Sequence, residues 1–223
     1  MTRDWRAWHE GYDDPGSGLA WRLAAVRGHV AEALDRRAGP VRVLSVCAGD
    51  GRDVLGVLAD RPDAARVSAT LVELDPVLGD RARAAAAATD ADVTVLTADA
   101  GDPATYAGLP PADLLLLCGI FGNVSPADIE HTITAAPALC GPGATVLWTR
   151  GRGRGFDDLD ADVRRWFGAA GFVETAHETL DEGHHPTVGA VRLDVEPPAT
   201  LPTLPALPAL PALPPDRRLF TFR

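Results

Sequence analysis

Val43-Leu44-Ser45-Val46-Cys47-Ala48-Gly49-Asp50-Gly51-Arg52-Asp53 is an apolar run that breaks into a two-glycine turn and then into acidic, helix-initiating sequence. Glycine directly after a strand permits positive φ and lets a ligand approach the backbone closely. A helix starting just beyond supplies unpaired N–H groups and the positive end of a dipole. The turn lacks the third glycine of the dinucleotide pattern, and a purely structural βα turn reads the same way.

The chain alternates outward from this turn. Residues 41–47 read as a first strand, 53–60 as a helix and 68–74 as a second strand. An alanine-rich helix over 77–88 precedes a third strand at 92–97 and an almost wholly apolar fourth at 113–118, whose pattern fits a central position. Ser125-Pro126-Ala127-Asp128 is a helix start, with a capping serine and proline at the first position. Ile129, Ile133 and Ala136 form the inner face of that helix, and 144–149 is a fifth strand. Leu159, Val163, Trp166 and Phe167 mark a further helix closed by Gly171. Residues 172–180 and 188–195 alternate as two last strands with no helix between them. The expected fold is α/β: a Rossmann-like, doubly wound, seven-stranded mixed sheet with an antiparallel terminal hairpin.

Four segments follow. Residues 1–40 are a helical cap containing Trp5, Trp8, His9 and Tyr12, then a Ser17-capped helix with a stripe at Leu19, Leu23, Val26, Val30 and Leu34. The cap is expected to fold over the carboxyl edge of the sheet, with Tyr12 facing the site. Residues 41–196 are the main domain. Residues 197–215 carry Leu-Pro every three residues, from Leu201 to Leu213, which blocks helix and central strand alike. That segment is either a proline-rich ligand for a partner or a low-complexity loop, and as a loop it is dispensable. Residues 216–223 have strand character and are expected to rejoin the sheet edge.

Composition narrows the chemistry. The 223 residues carry 31 acids against 21 bases, a formal charge of -10, which disfavours nucleic-acid binding. Every base is arginine, which excludes a Schiff-base lysine and a P-loop lysine. The cysteines Cys47, Cys118 and Cys140 are widely spaced, so neither a disulfide framework nor a metal site is expected. The first ten residues lack an apolar signal core, and the longest apolar run, 114–122, is far short of the ~20 residues of a membrane span. A cytoplasmic protein is expected, without a membrane partner.

The strand ends carry the chemistry. Glu73 closes the second strand 24 residues beyond Gly49, placed to accept both hydroxyls of a ribose. Asp75, just before Pro76, fits a helix cap. Asp99 closes the third strand, where a carboxylate accepts from an exocyclic adenine amine. A glycine turn and two acids at successive strand ends describe a pocket for an adenosine.

Over residues 40–195 the pattern resembles class I S-adenosylmethionine-dependent methyltransferases. It is similar to a bacterial subgroup with an N-terminal Trp/His/Tyr cap and a Cys-Ala-Gly-x-Gly-Arg-Asp turn. The resemblance implies S-adenosylmethionine as cofactor. Cys47, Ala48, Gly49, Asp50 and Gly51 would wrap its methionine part and Glu73 would hold the ribose. Leu74 would pack on the adenine, Asp99 and Ala100 would line its pocket, and Cys118-Gly119 would pass the sulfonium. Two positions depart from the family. Ser45 stands where an acid is frequent, so Asp50 or Asp53 must meet the cofactor amine. Cys47 stands where glycine is frequent, which implies an ordinary backbone conformation there.

Catalysis need not have a signature residue, because proximity supplies most of the rate. The candidates are Tyr12, Asn123 and His185, with His9 and His184 as neighbours, while His177 reads as structural. The 119–125 segment is the best substrate-side wall, and the Gly151–Gly155 Arg-Gly run is either an anion site or a loop. The reading is methyl transfer to a small-molecule acceptor. The rivals are an NAD(P)-dependent oxidoreductase, which wants a third glycine near Asp53, Val54 or Leu55, and a non-catalytic adaptor that binds through the Leu-Pro repeat.

Overall fold

The computed structural model describes residues 10–151, 159–180, 186–194, 213 and 217–222. The strands are β1 (Val41–Val46), β2 (Val67–Glu73), β3 (Asp92–Thr97), β4 (Ala112–Leu117), β5 (Cys140–Gly151), β6 (Phe172–Thr179) and β7 (Pro186–Leu193). They form one sheet in the order β3-β2-β1-β4-β5-β7-β6. The first five run parallel, and β7 inserts antiparallel to both β5 and β6. This is the expected mixed sheet, with the all-buried β4 at its centre.

The leucines of β4 show why it lies there. Side chains alternate across a strand. Leu114 and Leu116 join one apolar cluster with Val26, Val30 and Leu34. Leu115 and Leu117 join the other with Ile129, Ile133 and Phe167. Each of these four leucines is at most 1% exposed, and truncating any one costs about 2–5 kcal/mol. A strand whose leucines point to both faces needs helices on both sides. Those are α1 (Gly18–Asp35), α2 (Val54–Leu58) and α3 (Pro76–Ala86) on one face, and α4 (Pro126–Ala135) and α5 (Leu159–Ala169) on the other.

Capping chemistry sets the helix starts. Ser17, Asp75 and Ser125 accept from the N–H of Ala20, Val77 and Asp128 and open α1, α3 and α4. Asp53 accepts from Val54 N and starts α2, which is shorter than the sequence pattern implies. Strand β5 is longer, because it pairs with β4 on one side and with β7 as far as Gly151 on the other. No helix among the described residues is long and apolar enough to cross a membrane.

Two segments differ from expectation. Helix α1 lies against the sheet face, where its apolar stripe meets Val43, Leu147 and Val188, so it is a layer helix and only its first turns reach the carboxyl edge. No strand forms over the described residues 217–222. Leu219 N–H donates to Gly101 O (2.8 Å) and Thr132 Oγ1 donates to Leu219 O (3.0 Å), so this backbone is spent on a loop and a helix instead of a ladder.

Candidate functional site

A cavity of about 380 Å³ opens at the carboxyl edge of β1, β2, β3 and β4. It lies within the range of small-ligand sites. Cys47, Ala48, Gly49, Asp50, Glu73, Leu74, Asp99, Ala100, Cys118 and Gly119 all line it. Gly51 does not: it is packed behind the turn with φ 72, where an added Cβ would sit 2.6 Å from Leu71 and 2.7 Å from Leu55. Gly51 therefore lets the turn and α2 close against β2 without touching a ligand.

The turn is sharper than its sequence implies. Cys47 has φ 56 and is the one non-glycine residue at positive φ among those described. The expectation of an ordinary conformation at Cys47 is therefore wrong. The chain must reverse out of β1 at once, and Ala48 N–H is fixed on Val72 O (2.9 Å).

Glu73 organises the centre. It is 9% exposed; Oε2 accepts from Gly49 N (2.7 Å) and Oε1 from Asp75 N (2.8 Å). Each oxygen keeps further accepting capacity on the cavity side. Beside it Leu74 is 64% exposed, an apolar surface at the cavity mouth.

Asp99 is less open than the sequence implies. Its Oδ1 accepts from Gly101 N (2.8 Å) and its Oδ2 from Arg218 Nη2 (2.6 Å). Desolvation raises its carboxyl, but the Arg218 hydrogen bond, the Gly101 N–H and the Arg218 charge outweigh this and hold it below its ordinary value. Phe220 and Phe222, from the same segment as Arg218, complete this wall.

At the other end stand Tyr12, Arg22, Arg52 and Asp53. Arg22 donates to the Tyr12 hydroxyl, and Arg22 and Arg52 lie 5.4 and 4.7 Å from the Tyr12 ring centroid. Burial raises the Tyr12 phenol despite the opposing Arg22 charge, so it stays protonated near neutral pH. Asp50 is engaged by Arg52 through Nε (2.9 Å) and Nη2 (2.6 Å). Asp53 makes no ion pair among the described residues. Burial is the largest influence on its carboxyl and raises it, the Val54 N–H opposes, and the nearby Asp50 raises it further. Burial also pushes the Cys47 and Cys118 thiols up, which disfavours thiolate chemistry.

Of the catalytic candidates, Tyr12 lines the cavity. Asn123 is not among the lining residues, since its Nδ2 donates to Gly119 O (2.7 Å) and braces the turn after β4. His185 lies outside the described residues, as do His9, His184, Trp5, Trp8 and the Arg-Gly run beyond Gly151. Arg22, Arg218, Phe220 and Phe222 were not foreseen as site residues. Arg22 had a signal: it lies three residues after Leu19 and four before Val26, so it is an arginine in an apolar stripe.

No family model matches the chain, and no curated protein matches it in sequence. Solved structures match in fold. Magnesium protoporphyrin IX methyltransferase from Synechocystis, with bound S-adenosylmethionine, is 14% identical at a TM-score of 0.67, over 86% of this chain and 92% of that one. 1,6-Didemethyltoxoflavin-N1-methyltransferase from Burkholderia thailandensis is 19% identical at 0.58, over 84% and 86%. An O-methyltransferase family protein from the same organism is 20% identical at 0.59, over 85% and 60%. The chain has the class I S-adenosylmethionine-dependent methyltransferase fold.

Proposed function

We propose that this protein binds S-adenosylmethionine at the carboxyl edge of its sheet and transfers the methyl group to a small-molecule acceptor. The observation that carries the reading is Glu73: a buried carboxylate at the end of β2, oriented by two N–H donors and facing a cavity built for an amphipathic ligand. The donor set fits the cofactor. Glu73 offers acceptors for a ribose diol, and Leu74 an apolar face for a base. Asp53 and Arg22 offer opposite charges for the ammonium and carboxylate of an amino acid.

When bound, the cofactor supplies an electrophilic methyl group on sulfur. The chain supplies placement. The turn at 47–51 and the Cys118-Gly119 backbone close two sides of the cavity. Gly119 N–H donates to Thr149 Oγ1 (2.9 Å), which ties that backbone to β5. Tyr12, as a neutral phenol, offers a proton donor or acceptor at the cap side. Orienting an acceptor in such a site accounts for much of the rate.

An NAD(P) reading fits less well. Asp53, Val54 and Leu55, where a third glycine would stand, are the cap and first turn of α2, and β7 antiparallel beside β5 is unlike an all-parallel dinucleotide fold. Equilibrium filtration with methyl-labelled S-adenosylmethionine tests the proposal. The full chain should retain the label and release it to excess S-adenosylhomocysteine, and excess NAD should not displace it. Retention no greater than that of an unrelated protein would reject the reading.

A further inference from the structure

One wall of the cavity comes from beyond the alternating strands and helices. Residues 217–222 follow the Leu-Pro repeat, yet they are docked firmly. Leu219 and Phe220 are each 2% exposed. The Leu219 backbone is held at both ends, its N–H donating to Gly101 O and its carbonyl accepting from Thr132 Oγ1, and Arg218 closes on Asp99. The seat for the segment is built into the domain: a Cβ on Gly101 would stand 2.4 Å from Phe220 O.

The docked segment leaves a particular surface. Phe220 and Phe222 pack edge to face, with centroids 5.6 Å apart and planes at 82°. Phe222 remains 39% exposed, and Leu74, across the sequence in the β2–α3 connection, remains 64% exposed. Both line the same cavity. Large apolar groups exposed together in a cavity mark a surface that a ligand covers. An aromatic ring beside an aliphatic side chain suits a planar heteroaromatic base. The adjacent Asp99 can still accept from an exocyclic amine, because each carboxylate oxygen takes more than one hydrogen bond.

We infer that the 218–222 segment is a wall of the nucleoside subsite, with Phe222 and Leu74 covering the base and Arg218 positioning Asp99 for its amine. The inference rests on the cofactor reading above. It makes residues 218–222 part of the binding site. Phe222 is the binding residue and Arg218 a positioning residue.

Calorimetric titration of the full chain with S-adenosylhomocysteine, beside Phe222→Ala and Phe222→Trp, tests it. Phe222→Ala should weaken binding about fivefold to a hundredfold, the range for losing one base-stacking aromatic. Phe222→Trp should stay within about threefold of the unaltered chain, since it keeps an aromatic face. Gly101→Ala, whose Cβ would meet Phe220 O and the Arg218 guanidinium and so displace the segment while leaving Phe222 unchanged, should weaken binding in the same direction. If the unaltered chain binds and Phe222→Ala binds within threefold of it, the inference is overturned and the cofactor reading stands. If the unaltered chain does not bind, the cofactor reading itself falls.

Discussion

Glu73 Oε2 accepts the Gly49 N–H at 2.7 Å, which ties the carboxyl end of β2 to the turn leaving β1. The same carboxylate accepts Asp75 N–H through Oε1, so one side chain fixes two loops at the centre of the cavity. A hydrogen bond to a charged group contributes ~1.5–3 kcal/mol, and an orphaned buried donor adds its own desolvation cost. Glu73→Ala should therefore weaken S-adenosylhomocysteine binding about tenfold to a hundredfold and also lower the melting temperature. Asp75→Ala removes a helix cap on Val77 N, worth about 1 kcal/mol, and should leave affinity within threefold. The reverse ranking in calorimetry would move the ribose away from Glu73.

Gly51→Ala should destabilise the fold strongly. The position has φ 72 and no room for a Cβ between Leu71 and Leu55. Left-handed backbone strain costs about 1–3 kcal/mol, and overpacking adds a cost of similar size. Cys47 already tolerates φ 56. At Cys47→Gly, strain relief and added unfolded-state freedom oppose each other, each about 1 kcal/mol. Denaturant midpoints should show a large fall for the first substitution and a change below about 1 kcal/mol for the second.

Asp53→Asn separates stability from binding. Burial, aided by Asp50, raises this carboxyl above its ordinary value. A raised folded pKa means that the folded state holds the proton more tightly than the unfolded one. The carboxyl's destabilising contribution is therefore absent in acid. It grows as pH rises past the unfolded value of ~3.9, and is complete above the folded pKa. Asparagine removes that contribution and keeps an oxygen for Val54 N–H. Melting temperature should rise at pH 7 and be unchanged well below pH 4, while S-adenosylhomocysteine affinity falls. A lower melting temperature at pH 7 would show that Asp53 is stabilised by a partner.

Leu213 is the one leucine of the Leu-Pro repeat among the described residues, and it packs against the core cluster that contains Tyr106 and Leu139. Leu213→Ala should cost about 1–2 kcal/mol, below the penalty for a fully buried leucine. A chemical-denaturation curve that matches the unaltered chain would make the Leu213 contact dispensable to the fold.

How far the sequence discloses the site follows from which contacts are local. Strand ends and caps are local, so Glu73, Asp99, Ser17 and Ser125 could be placed from spacing and residue type. The central position of β4 was legible because four consecutive leucines leave it no solvent-facing side. Cys47 misled because its left-handed backbone is imposed by the pairing of Ala48 with Val72, which no local propensity reports. Arg218 reaches Asp99 across 119 positions of sequence, and Phe222 enters the cavity by the same long return. Such contacts have no period to read. Asn123 drew notice for its place after β4, yet its amide is used by Gly119 O.

A crystal structure of the full chain with S-adenosylhomocysteine tests the central claim most directly. The account predicts the ligand in the 380 Å³ cavity, ribose hydroxyls within hydrogen-bond distance (~2.5–3.2 Å) of Glu73, the base against Leu74 and Phe222, and the amino-acid end between Asp53 and Arg22. A ligand bound elsewhere, or one in this cavity with its ribose turned away from Glu73, would contradict it.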